Sequence, residues 1–335
     1  MALGNNNQIM RENILVTGGA GYIGSHVCKA LHAAGYNPVT YDNLSSGHDW
    51  AVKWGPLERG DILDASRLKE VFASYKPAAV MHFAALIAVG ESVESPSKYY
   101  LNNVAGSLSL LEVTREQGVC HFIFSSTAAV YGLPEIVPIA ETANERPINP
   151  YGETKLIVER MLRDFNGAYG LNWTGLRYFN AAGADPDGEI GEAHDPETHL
   201  IPIILEAIQG KRDRVNVFGT DYDTRDGTCV RDYIHVCDLA DAHVAALERL
   251  RRGGSSGAYN LGNGAGFSVR EVIAAAESVT GRVAPVYYAE RRPGDPTSLI
   301  ADARRAKEEL NWRPRLGSLE DIIATAWRWH NRSNA

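Results

Sequence analysis

Cysteine is scarce in this chain of 335 residues, occurring only at Cys28, Cys120, Cys229 and Cys237. Four thiols without a CxxC pair cannot form the framework of a disulfide scaffold or a ribbon-type zinc site. Free, inert thiols in a reducing cytosol are expected. The ten histidines contain no HExxH or comparable spacing, so no metal is expected. Long apolar runs are missing too: no stretch approaches the roughly 20 residues that span a bilayer. Positive charge is in deficit, with 33 basic against 41 acidic side chains and a net charge of −8. That balance argues against nucleic acid or an anionic membrane as partner. Met1–Gln8 has neither a basic n-region nor an apolar h-region; it reads as a short disordered leader rather than a signal peptide, with Met10 as an alternative start. The cytoplasm is the expected compartment.

What is present suits a soluble globular protein of one large or two unequal domains, with 44% hydrophobic and 22% charged residues. Asn13–Thr17 is a short apolar run that stops at glycines, as a strand buried on both faces does. Helical spacing follows from Tyr22 to about Ala34, closed by Gly35. The pattern continues with strand Pro38–Tyr41, helix Ala65–Ser74, strand Ala78–Phe83 and helix Val104–Gln117, with Leu101, Leu108 and Leu111 expected on one face. Strand His121–Phe124, helix Tyr151–Phe165 and strand Trp173–Tyr178 complete it. Such alternation predicts an α/β fold, a doubly wound, Rossmann-type parallel sheet. After Gly183 the segment Ala184–Pro202 reads as a turn-rich loop. Helices are then expected over Ile203–Gln209, Leu239–Arg249 and Val269–Val279. The expected organisation is a dinucleotide domain over 11–185 and a smaller C-terminal α/β substrate lobe over 186–335, with segments returning to the first.

Gly18, Gly21 and Gly24 form a GxxGxxG loop between the first strand and the first helix. The first glycine permits a tight turn, the second lets backbone approach a pyrophosphate, and the third lets helix and strand pack closely. The phosphates would sit on the free N–H groups where Tyr22 and Ile23 open the helix. Asp42 ends the second strand 18 residues after Gly24, where a carboxylate accepts hydrogen bonds from an adenosine ribose diol and repels a 2′-phosphate. NAD is thereby favoured over NADP; the bland reading of Asp42-Asn43 is a simple turn. Asp61 and Ile62 are candidates for the adenine end, with a strand-end cap as the alternative.

Tyr151 and Lys155 lie four residues apart, on one face of a helix. A neighbouring cation stabilises phenolate, drawing a group that titrates near ~10 toward neutrality, where it serves as a base. Ser125-Ser126-Thr127 follows an apolar strand, at the end where a parallel sheet presents its active site. The glycine loop, these hydroxyls and the YxxxK pair together resemble the extended short-chain dehydrogenase/reductase superfamily, and within it the UDP-galactose (UDP-glucose) 4-epimerases. Further motifs run from Asn13 to Trp329, among them His82-Phe-Ala84, Leu176-Arg-Tyr-Phe-Asn180, Val230-Arg-Asp-Tyr-Ile-His235 and Arg291–Asp295.

The resemblance implies an NAD-dependent epimerase acting on a UDP-sugar. Tyr151 would remove the 4-hydroxyl proton, Lys155 would hold the ribose hydroxyls and, with the positive nicotinamide, lower the phenol's pKa, and Thr127 would bond the 4-oxygen and help relay the proton. Phe83, Ala84, Asn103, Ser125, Tyr151, Lys155 and Phe179 fall on NAD positions. Asn180, His199, Leu200, Asn216, Phe218, Arg231, Arg292 and Asp295 fall on UDP positions. As bland alternatives, Arg231-Asp232 reads as an internal salt bridge and Phe218 as core. A homodimer through Val104–Gln117 and Leu156–Phe165 is implied as well.

Three departures from the family pattern stand out. Ile87 replaces a frequent lysine near the diphosphate, and His199 replaces a frequent amide. Leu299 stands where relatives restricted to unacetylated hexoses often have Tyr, which points to tolerance of N-acetylhexosamines. The stretches 191–199 and 219–225 resemble pentose-active relatives, keeping UDP-xylose/UDP-arabinose open. A 4,6-dehydratase would need an acid–base pair after Thr127, where Ala128-Ala129 stands. A scaffold without catalysis would lack Tyr151 or Lys155, and both are present.

Overall fold

A computed structural model describes residues 11–292 and 294–332. The leader expected over Met1–Gln8 and the alternative start at Met10 lie outside the described residues. Apolar runs bounded by glycine become the strands of one seven-stranded parallel sheet. Its order is Gly257–Leu261, Asn172–Tyr178, His121–Thr127, Ala79–His82, Asn13–Thr17, Asn37–Asp42 and Leu57–Arg59. In Asn13–Thr17, Ile14 and Val16 face one layer of helices while Leu15 faces the other, so alternate residues are all apolar. Helices Tyr22–Ala33 and Val236–Arg251 cover the first face. Helices Ala65–Tyr75, Gly106–Glu116 and Pro150–Tyr169 cover the second.

The strand order reverses between Asn13–Thr17 and Ala79–His82, which opens a crevice at the carboxyl ends of the strands. Gly257–Leu261 pairs in parallel with Asn172–Tyr178, bringing chain from beyond residue 186 back into the sheet. Helices Leu200–Ile208, Val269–Thr280 and Leu319–Arg332 share a separate apolar core with the strand Val215–Phe218, which pairs with Val286–Ala289.

Two expectations change. The edge strand Leu57–Arg59 is too short for any alternation to be read from its sequence. The expected apolar face of Leu101, Leu108 and Leu111 is split: Leu111 is buried, whereas Leu101 and Leu108 are exposed. Residues Tyr100–Ala105 form a π-helical turn that takes Leu101 off the 3.6-residue repeat, while Leu108 lies on the solvent side of the regular helix Gly106–Glu116, whose buried face runs through Ser107, Leu110, Leu111 and Thr114. Among the described residues, no helix is long and apolar enough to cross a membrane.

Candidate active site and nucleotide cavity

The glycine loop turns at Gly18 with φ of +74°, a conformation that L side chains rarely adopt. A Cβ there would meet the amide nitrogen of Ala84 at 2.6 Å, and one on Gly24 would meet the Gly18 carbonyl oxygen at 2.1 Å. The loop therefore packs backbone on backbone. Helix Tyr22–Ala33 starts from Gly21 with no side-chain cap, leaving its first-turn N–H groups open toward the crevice. The Tyr22 side chain is spent elsewhere, its hydroxyl donating to the Gly183 carbonyl at 2.7 Å, while Ile23 packs into the core. Only their backbone can serve a phosphate.

Asp42 sits at the end of its strand, buried, and accepts from the backbone N–H of Ala20 at 3.0 Å and of Leu44 at 2.8 Å. Burial raises its pKa while these two donors pull it back down. It thus fixes the glycine loop and closes a turn, as the bland reading of Asp42-Asn43 has it. Asn43 donates to Asp61 at 2.9 Å, and Asp61 also accepts from the Leu63 N–H, as a strand-end cap does. Ile62 is buried against Gly106. An uncapped helix N-terminus, a glycine cradle and a carboxylate at the next strand end fit a dinucleotide of the NAD type.

Across the crevice, Ser125 and Thr127 end strand His121–Thr127, and Tyr151 and Lys155 lie in the first turns of helix Pro150–Tyr169. Asn149 caps this helix by accepting from the Gly152 N–H at 2.9 Å, and Pro150 suits its first position. Glu159 clamps the same helix to the sheet through the Ser126 hydroxyl and the buried Arg177 guanidinium, whose Nε lies 2.9 Å from its carboxylate. The Thr127 hydroxyl lies beside the Tyr151 phenol, and Lys155 Nζ donates to the Ser125 carbonyl at 2.8 Å.

The expected electrostatics are corrected here. Burial raises the Tyr151 pKa, partly opposed by the Thr127 hydroxyl, and burial pushes Lys155 down to about 7. An ammonium bonded to a carbonyl and seated over the Phe124 ring at 4.9 Å is itself poorly solvated, so desolvation outweighs its pull on the phenol. Asn103, buried in the π-helical turn, pins the chain after strand Ala79–His82 by bonding both N–H and C=O of Leu86. Phe83 packs on His243, 4.8 Å between ring centroids, and Ala84 abuts Gly18. Tyr178, not singled out from sequence, bonds Ser125 Oγ through its hydroxyl; its position at a strand end one residue before Phe179 was the available signal.

All eight residues expected to hold UDP line one cavity of about 280 Å³: Asn180, His199, Leu200, Asn216, Phe218, Arg231, Arg292 and Asp295. Arg231 lies 3.7 Å from Asp295, and Arg292 lies 3.1 Å from it with its guanidinium 4.4 Å above the Phe218 ring. The internal Arg231–Asp232 salt bridge is not formed: Asp232 instead accepts from the backbone N–H groups of Asn263, Gly264 and Ala301. Arg212 and Arg214 line the same cavity and were missed, although the run Lys211-Arg-Asp-Arg214 just before strand Val215–Phe218 marks them. Ile87 is exposed and outside the lining. Leu299 and Phe179 pack instead on the cluster of Ala128, Val130 and Leu156 beside the Thr127–Tyr151 pair.

Residues 14–262 match the model of the NAD dependent epimerase/dehydratase family. The chain belongs to that family. A family relative, the UDP-glucose 4-epimerase of Rhizobium meliloti strain 1021, is 56% identical over 97% of this chain and 99% of its own length. The crystal structure of UDP-glucose 4-epimerase from Brucella ovis in complex with NAD superposes with a TM-score of 0.93 at 54% identity, covering 95% of this chain and 98% of the other. A UDP-glucose 4-epimerase from Stenotrophomonas maltophila, with bound NAD and formylated UDP-arabinopyranose, gives a TM-score of 0.94 at 42% identity, over 97% and 99% of the two chains.

The histidine spacing gives no expectation of a metal, yet one group of potential ligand side chains comes together. Glu192, His194, Glu197 and His199 converge, with ligand atoms all within 4.8 Å of one another. Their spacing lies in a loop, where no helical motif advertises it.

Proposed function

We infer that this chain is an NAD-dependent isomerase that inverts C4 of a UDP-hexose, interconverting UDP-glucose and UDP-galactose. One observation carries the reading. A hydroxyl, a phenol and an ammonium meet at the strand ends beside the glycine loop, and a cavity with four arginines opens from the second lobe. Residues 11–185 hold the dinucleotide and 186–335 the nucleotide sugar. The arginines suit a diphosphate, and Asp295, tied to two of them, suits a ribose diol.

The bound dinucleotide supplies reversible hydride acceptance. Tyr151 takes the proton from the sugar 4-hydroxyl, and Thr127, beside the phenol, holds the 4-oxygen at the same point. Lys155 titrates close to neutrality, so its charge, and the readiness of the phenol to ionise, follow conditions in the site. The Ser125 carbonyl fixes where that charge sits. The 4-keto sugar turns over and takes hydrogen back on its other face, which requires Arg231 and Arg292 to hold the UDP end throughout. Leu299 favours a second reading, tolerance of a C2 N-acetyl group, because it leaves more room than Tyr beside the Thr127–Tyr151 cluster.

A homodimer is part of the proposal, supported by the exposed Leu108 on the helix Val104–Gln117 expected to pair and by Leu101 just before it. Four unpaired thiols support the cytoplasm. The test is to incubate purified protein, without added reductant, with UDP-galactose, UDP-N-acetylgalactosamine and UDP-arabinose in parallel and separate the products. Conversion of UDP-galactose to UDP-glucose is expected; conversion of only the acetylated or only the pentose nucleotide would replace the hexose reading.

A further inference from the structure

The loop over residues 192–199 gathers two imidazoles and two carboxylates. His199 Nδ1 lies 2.8 Å from Oε1 of both Glu192 and Glu197. His194 Nδ1 lies 3.0 Å from Glu192 Oε1 and 3.9 Å from Glu197 Oε2. Both carboxylates are nearly inaccessible, at 5% and 6% exposure. Other buried carboxylates of this protein have an evident counterweight: Lys29 for Asp185, Arg177 for Glu159, three backbone N–H groups for Asp232. Among the described residues, neither Glu192 nor Glu197 has a lysine or arginine partner. Glu197 Oε1 has backbone help from the N–H groups of Thr198 and His199, and Glu192 has only the two imidazoles.

Protons balance this cluster only in part: a single imidazolium at His199, within 2.8 Å of both carboxylates, leaves a net charge of about −1 in a nearly inaccessible site. With both rings protonated, two cations sit 5.0 Å apart between centroids. With both neutral, two desolvated carboxylates keep a combined charge of about −2, which burial penalises by several kcal/mol per ion. A divalent cation amid the four donors neutralises both carboxylates and leaves both rings neutral. Two imidazoles with two carboxylates form a donor set suited to zinc, whereas calcium and magnesium take oxygen ligands.

We propose that Glu192, His194, Glu197 and His199 form a structural zinc site. The ion cross-links the loop that leads into helix Leu200–Ile208, whose first turns line the nucleotide cavity. Trp329 holds the other end of that loop, donating from Nε1 to the Glu192 carbonyl at 2.8 Å and packing on Gly191. Ligation through Nδ1 leaves Nε2 of His199 to carry the ring proton, fixing this cavity-lining ring as a donor. The nearby Asp185, Asp187 and Glu189 cluster makes no such site, because the Lys29 ammonium already sits 2.8–3.0 Å from all three. None of this rests on the epimerase reading.

The test strips full-length protein with a chelator, adds zinc chloride, and measures metal per chain after gel filtration; cobalt chloride serves in a parallel arm. One zinc per chain is expected, with the visible bands of four-coordinate Co²⁺ bound to nitrogen and oxygen. A Glu192→Gln/His194→Gln double variant with an unchanged circular-dichroism spectrum should bind zinc at least about 100-fold more weakly, exceeding the loss of a mere outer-shell partner. Folded wild-type protein that takes up no stoichiometric zinc overturns the proposal, as does undiminished binding in the double variant. Should that variant not fold, the wild-type cobalt spectrum decides: nitrogen–oxygen bands support the site, and thiolate charge-transfer bands or no bands refute it.

Discussion

Replacing Lys155 with Met removes a buried ammonium while keeping a straight side chain of similar length. The native group titrates near 7 against an ordinary value of 10.5. At about 1.4 kcal/mol per pH unit, that difference corresponds to roughly 5 kcal/mol of folding free energy opposed by the charge. That figure is already net of the bond from Nζ to the Ser125 carbonyl and of the Phe124 ring beneath it, because both act on the folded-state pKa. Because the unfolded chain binds the proton more tightly than the folded one, the penalty is fully present below pH ~7 and disappears as pH rises from ~7 to ~10.5. In protein freed of dinucleotide, Lys155→Met should therefore be the more stable protein at pH 6, with the gap closing toward pH 10. Urea denaturation of both proteins across that range reads the gap directly. A gap independent of pH, or one that widens with rising pH, would show that the ammonium is not the source.

Gly24→Ala places a methyl 2.1 Å from the Gly18 carbonyl oxygen, so the loop must shift; a loss of about 1–3 kcal/mol and of most copurifying dinucleotide is expected from thermal melts and absorbance. Gly167→Ala, with nothing within 4 Å of the new Cβ, should instead stabilise the helix by about 0.5–1 kcal/mol. Tyr151→Phe keeps the ring but removes the proton acceptor: turnover should fall by about 10²–10⁴ while bound dinucleotide persists, and near-normal turnover would remove the assigned base. Arg231→Met leaves Asp295 one cation short and should raise KM for the UDP-sugar more than it lowers kcat, read from steady-state kinetics. Leu299→Tyr should cut turnover of UDP-N-acetylgalactosamine relative to UDP-galactose; an unchanged ratio would free that position of any gating role.

The parallel sheet was legible because strands buried on both faces leave continuous apolar runs, and glycines punctuate them. Asn13–Thr17, Gly18, Gly24 and Asp42 are local features, and local geometry forces their roles: a positive φ at Gly18 and a contact that only hydrogen fits at Gly24. The YxxxK pair was legible for the same reason, as helix periodicity alone sets its spacing. What the sequence could not determine depends on groups that meet from distant segments. The direction of the Tyr151 shift follows from burial, which is a property of the packed crevice and not of the neighbouring lysine. Arg231 chooses Asp295 over the adjacent Asp232 because strand pairing commits Asp232 to three backbone donors. Arg212 and Arg214 join the cavity, and Glu192, His194, Glu197 and His199 converge, only once an irregular loop has closed. Periodic segments carry their geometry in the sequence; loops acquire theirs from the tertiary contacts that hold them.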